Sequence, residues 1–210
     1  MSTITEEALN RLREKLAGCM SPKRYRHTVA VEAMAEQLGR LYLPDEILPL
    51  RAAALLHDIT KEYSLEEQLK ICEEFGIMVS AYDKCSPKTF HAKTAAALIP
   101  SRYPDFAEES VLSAVRWHTT GRAHMTRMEE LIYLADYIDE SRTFPDCVLL
   151  RHLFWSAEPE QMNEQEREAH LRAVLIESFD MTVRALTAEG AIISADTVHA
   201  RNALLLKHNP

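Results

Sequence analysis

The stretch LLHDIT at 55–60 sets a histidine beside an aspartate directly after the apolar run AAALL, where a buried helix reaches its end. Alone, such a pair means little: a helix-terminal histidine next to a capping aspartate is an ordinary arrangement. Four further side chains change its weight. His27 falls in RYRHTVAVEAMAEQL, where Val31, Met34 and Leu38 space out a core-facing stripe; His91 precedes AKTAAAL; His118 ends SVLSAVRWH; Asp136 interrupts the apolar run LIYLADYI. Buried imidazoles and carboxylates require partners. For Asp136 the choices are a metal, several donors, or a salt bridge to an arginine such as Arg26 or Arg116.

Collectively His27, His57, Asp58, His91, His118 and Asp136 offer nitrogen and oxygen donors and no thiolate. This set suits Fe, Mn, Zn, Co or Mg, with positions left for water. An ion held this way lowers the pKa of a bound water toward ~7 and neutralises phosphoryl oxygens, so the fitting chemistry is hydrolysis of a phosphate bond. Lys61 lies one turn beyond Asp58, and Arg24 one turn before His27 on roughly the same face, both placed to meet phosphate. The competing reading of Lys61 is a solvated surface charge. His124, His152, His170, His199 and His208 stand in polar or terminal surroundings and read as solvated.

The elements that carry these residues read as helices throughout, because apolar positions recur at three and four with only five glycines and nine prolines as punctuation. A short amphipathic helix covers 5–17. Ser21 caps a long one that opens on Pro22. The segment DEILPLRAAALLHD is apolar nearly all round, as a central helix is, with Pro49 in its first turn or bending it, and it ends near His57. Ser64 with Glu67 forms a capping box for a helix that Gly76 stops, and Thr126 with Glu129 forms a second one. A loop containing Asp83 and Pro87 leads to two helices separated by Pro100 and Pro104, each bearing one histidine. Phe144–Pro145 then breaks the chain before helical stretches at 146–156 and about 160–188, and Ser194 or Asp196 caps a last helix. The expected organisation is one all-α domain over 1–210, with a core at about 20–142 and a helical C-terminal extension at about 143–210.

Composition narrows the partners. A net charge of −8 opposes binding to nucleic acid polymers or anionic membranes, so an anionic substrate must be met by local cations or metals. No apolar run approaches a membrane span and the acidic N-terminus lacks the features of a signal peptide, which predicts a cytoplasmic protein. Cys19, Cys72, Cys85 and Cys147 are scattered without a paired motif, suggesting neither a zinc knuckle nor a disulfide framework. An apolar face on 146–188 would serve a homodimer, although periodicity does not separate an interface from a core.

The order H…HD…H…H…D resembles the HD-domain metal-dependent phosphohydrolases. A tighter resemblance is carried by RYRHT at 24–28, AALLHDITK at 53–61 and RWHTTGRAHMTRMEELIYLADYIDESRTFP at 116–145, which look like the bacterial YqeK family of symmetrical dinucleoside tetraphosphatases. That resemblance, over about residues 10 to 206, implies an HD-domain helical bundle that splits diadenosine tetraphosphate into two ADP. It implies one or two metal ions, iron foremost, with His27, His57, Asp58 and Asp136 as ligands. His91 and His118 would approach the phosphates or a second ion, sharing the catalytic work with Asp58. Arg142 matches the family arginine that contacts nucleotide phosphate. DTVHARN at 196–202 matches a segment lining the nucleotide, through Asp196, Thr197, Arg201 and Asn202. One departure is Asp139-Glu140-Ser141 where the family commonly has Glu-Pro-Gly, which bears on how Arg142 is presented. Other HD chemistries compete: a nucleotidase, a guanosine tetraphosphate hydrolase or a cyclic-nucleotide phosphodiesterase. From a different class, a non-catalytic nucleotide sensor would keep the same residues.

Overall fold

A computed structural model describes residues 4–206, and among these the regular structure is helical, with no strand. The eleven α-helices are α1 (Glu6–Ala17), α2 (Pro22–Tyr42), α3 (Ile47–Leu56), α4 (Leu65–Glu74), α5 (Ala81–Cys85), α6 (Phe90–Arg102), α7 (Glu109–Trp117), α8 (Arg127–Ile138), α9 (Pro145–Trp155), α10 (Glu164–Ala188) and α11 (Ala195–Leu206). The sequence reading of an all-α chain holds. His208 lies outside the described residues.

Local chemistry explains most boundaries. Thr5 and Ser21 accept from Ala8 N and Arg24 N to cap α1 and α2, and the Ser64/Glu67 and Thr126/Glu129 capping boxes open α4 and α8. Gly76, at φ +64°, ends α4 while Ile77 N donates back to Cys72 O at 2.7 Å. Two details differ from expectation. Ser80 and Asp83 form a further capping box, so part of the predicted loop is the short helix α5. Pro100 does not end α6, which runs on to Arg102: the missing N–H costs one bond near the helix end, and Ile99 O still accepts from Tyr103 N at 2.8 Å.

The hub is α3. Every residue from Pro49 to Leu56 is buried, and the helix packs against α1, α2, α7 and α8. Its one charged residue, Arg51, reaches Glu32 of α2 at 3.0 Å and Glu6 of α1 at 2.8 Å, so the buried guanidinium ties three helices together. The predicted stripe of α2 is there too: Val31, Met34 and Leu38 are buried against this hub. A helix buried on all sides can end only at the edge of the core. That end is His57.

The later helices close over α8. Tyr133 of α8 stacks on Phe179 of α10 at 4.4 Å between ring centroids. On α9, Val148, Leu149 and Leu153 remain exposed as an apolar stripe. His170 is half-buried rather than solvated, with its Nε2 3.0 Å from Phe154 O and its ring against Phe154.

Candidate metal centre

Six side chains from five segments converge where α3 stops. His27 comes from α2, His57 and Asp58 from the end of α3, His91 from α6, His118 from the end of α7 and Asp136 from α8. His57, Asp58, His91 and His118 are each at most 3 % exposed. His27 Nε2 lies 3.0 Å from Asp136 Oδ1, His57 Nε2 3.3 Å from Asp58 Oδ2, and His91 Nε2 3.2 Å from Asp58 Oδ1. The donor atoms fall into two overlapping groups, His27–His57–Asp136 and His57–Asp58–His118, with all atoms of a group within 4.8 Å of one another. His57 belongs to both. The second group brings His118 forward as a ligand candidate alongside the four that the sequence suggested.

Two of these histidines are oriented by one device. His57 and His118 follow the last helical residue of α3 and α7, and each places Nδ1 on the carbonyl three residues back: Ala54 O at 2.6 Å and Val115 O at 2.7 Å. A carbonyl only accepts, so Nδ1 carries the proton and the Nε2 lone pair faces the centre, the tautomer a metal ligand requires. His27 is oriented differently, with Nδ1 3.2 Å from Ser141 Oγ and 3.4 Å from Asp139 Oδ2.

The fit to a metal rests on unsatisfied atoms. Among the described residues, His27 Nε2, His57 Nε2 and Asp58 Oδ1 are buried without a hydrogen-bond partner, a costly state for polar atoms unless something else coordinates them. Imidazole and carboxylate together match a borderline-to-hard divalent cation. Positive side chains already neutralise the carboxylates: Arg24 donates to Asp58, and Arg142 donates to Asp136 through Nη2 and, through Nε, to its carbonyl at 2.6 Å. The partner of Asp136 is therefore Arg142, not Arg26 or Arg116. Burial opposes charge on Asp58 and Asp136, yet the surrounding imidazoles and Arg142 hold both carboxyls well below their usual range. Burial also opposes a proton on His27, but the negative carboxylates of Asp136 and Asp139 beside it outweigh that and raise its pKa to about 9.

His91 works in the opposite regime. Burial dominates and, with the neighbouring His118 and Lys61, pushes its pKa down to about 4 despite Asp58, so it is neutral at pH 7. Its Nε2 is a meeting point, 3.0 Å from His118 Nε2 and 3.1 Å from both Lys61 Nζ and Thr119 Oγ1. Lys61 is thus held against the site rather than free in solvent. Beneath it, Thr60 Oγ1 donates to His91 O at 2.9 Å, and Gln68 Nε2 donates to Thr60 O at 2.7 Å, pinning the HDIT segment to α6.

The altered turn after α8 is rigid in its own way. Asp139, fully buried, accepts from Ser141 N at 2.8 Å and from its hydroxyl, while Arg142 N donates to Asp139 O at 3.2 Å. Arg151, reaching from α9, donates to the carbonyls of Asp139 and Arg142. These side chains present Arg142 without the family's proline and glycine. Sequence reasoning missed Arg151, Ser141 and Thr119; only the oddity of DES at 139–141 pointed toward that turn.

Beside His27 opens a cavity of about 530 Å³ whose lining includes Lys23, Arg24, Arg26, Arg142 and Phe144. The predicted C-terminal contributors are placed less directly. Asp196 lines a different cavity of about 370 Å³ together with Asp83 and Lys93. Thr197 is buried, Arg201 is paired with Asp180 of α10, and Asn202 is exposed. What α11 does contribute is packing: Gly121, in the HTTG loop after His118, sits at φ +64° so close to Phe179 and Ala200 that a Cβ there would lie 2.7 and 2.9 Å from them.

The HD-domain family model matches residues 24–141, a span that holds every residue of the cluster. The chain belongs to the HD-domain family. As an HD-domain phosphohydrolase it is 31% identical to the symmetrical bis(5'-nucleosyl)-tetraphosphatase of Bacillus subtilis, over 95% of this chain and 97% of the relative. The protein of the same description from Halalkalibacterium halodurans is 30% identical over 90% of this chain and 92% of that one. A Staphylococcus aureus relative of that description is 34% identical over 72% and 74%. Among solved structures, a predicted HD superfamily hydrolase involved in NAD metabolism from Clostridium acetobutylicum superposes with a TM-score of 0.81 at 28% identity, covering 94% of this chain and 97% of that one. The HD-domain bundle expected from the sequence is the fold observed.

Proposed function

We propose that this phosphohydrolase cleaves diadenosine tetraphosphate symmetrically into two ADP, with iron as its metal. The reading is carried by one juxtaposition: buried, unpartnered imidazole and carboxylate atoms at the border of a cavity with four cations in its lining. It is supported by the activity for which the relatives above are named. His27, His57, Asp58 and Asp136 would hold the ion, with His118 close enough to share it. Mn, Co, Zn or Mg would satisfy the same donors. Such an ion supplies Lewis acidity, which acidifies water and neutralises phosphoryl oxygens.

The chain's own groups divide the remaining tasks. Arg24, Arg142 and Lys61 place positive charge around the reacting phosphates, and burial strengthens each of these interactions. Neutral His91 can hydrogen-bond a substrate oxygen or water at Nε2, and His118 and Thr119 hold that nitrogen in place. Symmetric cleavage also needs register: one ADP half must be fixed so that the bond between the second and third phosphates lies over the centre. Arg142 and the 196–202 segment are our candidates for that register.

The test is direct. Anaerobically purified, iron-loaded protein is incubated with diadenosine tetraphosphate and the products are resolved by ion exchange, alongside a His57→Ala/Asp58→Ala variant. ADP as sole product, lost in the variant, is the expected result. ATP plus AMP would reject symmetric cleavage; no turnover with the ion confirmed bound would point to another HD substrate or to a nucleotide sensor.

A further inference from the structure

We infer that the cavity beside His27 seats the second nucleotide half of the substrate, with Phe144 stacking on its base and Lys23 and Arg26 holding its phosphates. This rests on the tetraphosphatase reading and extends it.

The charge pattern comes first. In a chain of net charge −8, the cavity gathers Lys23, Arg24, Arg26 and Arg142. Arg24 and Arg142 are already engaged by Asp58 and Asp136. Lys23 and Arg26 are exposed, and among the described residues no carboxylate lies within 4.0 Å of either. Both stand on the first turns of α2, beside His27, so their positive field continues outward from the centre. A row running from an engaged pair of cations to an unengaged pair suits an extended polyanion rather than a single phosphate.

Phe144 supplies the second observation. Its side chain lines the same cavity and the residue is 66% exposed, so the ring is open to a ligand seated there. The backbone holds it there. A residue before proline is confined to extended conformations, and Phe144, at φ −63° and ψ 138°, forms the N-cap of α9 ahead of Pro145. The ring is therefore presented from a stiff pivot. An aromatic face beside unengaged cations is the combination that binds a nucleotide: bases stack on the ring while the phosphates meet the charges. A substrate with two identical ends needs two seats about its cleaved bond, and this cavity provides one adjoining the cluster.

The experiment compares wild type, Phe144→Ala, Phe144→Trp and Lys23→Ala/Arg26→Ala. Turnover of diadenosine tetraphosphate is followed with metal-loaded protein. Direct titration of chelator-treated protein uses diadenosine tetraphosphate and adenosine 5′-tetraphosphate, which lacks the second base. Loss of Phe144 should weaken the two-base nucleotide by roughly tenfold, the scale of one lost base–aromatic stack, with the one-base nucleotide little changed. KM should rise while kcat stays within about twofold, and Phe144→Trp should restore binding. The Lys23/Arg26 variant should weaken both nucleotides and flatten the salt dependence of binding. Unchanged affinity in Phe144→Ala, or equal loss for both nucleotides, overturns the seat. So does an altered sedimentation coefficient with unaltered KM, which would assign the ring to a face between protein copies along with Val148 and Leu149. If wild type binds but never cleaves, the tetraphosphatase reading fails while the titrations still decide the seat.

Discussion

His27 is bounded by carboxylates on both sides, Asp136 at Nε2 and Asp139 at Nδ1. Asp139 stands behind the His27 ring at Nδ1 and fixes it toward the other candidate ligands, and outer partners of this kind typically set metal affinity within 10- to 100-fold. Asp139→Asn should therefore weaken metal binding by about tenfold in a chelator competition, with the helical circular dichroism unchanged. The same pair controls pH behaviour. In chelator-treated protein the folded-state pKa of His27, about 9, lies above the ordinary histidine value of ~6.5. Its stabilising effect is complete below pH 6.5 and is lost as pH rises through 9, because only the folded state keeps the proton there. The melting temperature of chelated protein should fall from pH 7 to pH 9.5, and Asp139→Asn should make that decline shallower. At this scale the sequence was unusually legible, since imidazoles and a carboxylate in apolar runs advertise themselves. Arg151 and Ser141 did not: an arginine on an amphipathic helix and a serine in a turn look the same whether or not they hold a turn beside such a cluster.

Helices act here by where they stop. The ends of α3 and α7 deliver His57 and His118 with the same i−3 carbonyl contact, so each helix terminus fixes a tautomer as well as a position. The segment after α7 depends on Gly121, whose φ of +64° and contacts with Phe179 and Ala200 leave no room for a side chain. Gly121→Ala should cost about 1–3 kcal/mol by strain and overpacking and should also lower kcat, as Thr119 and His118 shift together. Thermal melts and steady-state rates of that variant check both. Most helices could be read from the sequence because caps and three–four periodicity agree. The exceptions were local: a capping box in the short helix α5 was hidden among loop-forming residues, and Pro100 lies so near the end of α6 that its missing N–H is tolerated. What periodicity could not convey was which faces meet. The bond of Arg201 with Asp180 of α10 and the packing of Ala200 on Gly121 are contacts between α11 and other elements, without a local signature.

Taken whole, the molecule is an acidic body with a cationic mouth, and substrate must be drawn to the second against the first. Long-range repulsion and short-range attraction screen differently, but the contacts proposed to bind a tetraphosphate lie in the mouth, so salt should weaken binding on balance. KM for diadenosine tetraphosphate should rise by about three- to tenfold between low and 0.3 M salt at constant metal, with kcat much less affected; initial rates across a salt series test this. No helix among the described residues is long and apolar enough to cross a membrane. The seating of Gly121 against Phe179 and Ala200 also has a temporal meaning. Synthesis runs from N- to C-terminus at about 5–20 residues per second, and early segments begin folding first. His27, His57, Asp58, His91, His118 and Asp136 all precede α11 in the chain, yet Gly121, in the loop after His118, meets Ala200 only once α11 is made. A nascent chain halted within α10 would carry the whole set of clustered groups with Gly121 still lacking its contact with Ala200, so the cluster's residues are made before the packing that seats the loop beside them.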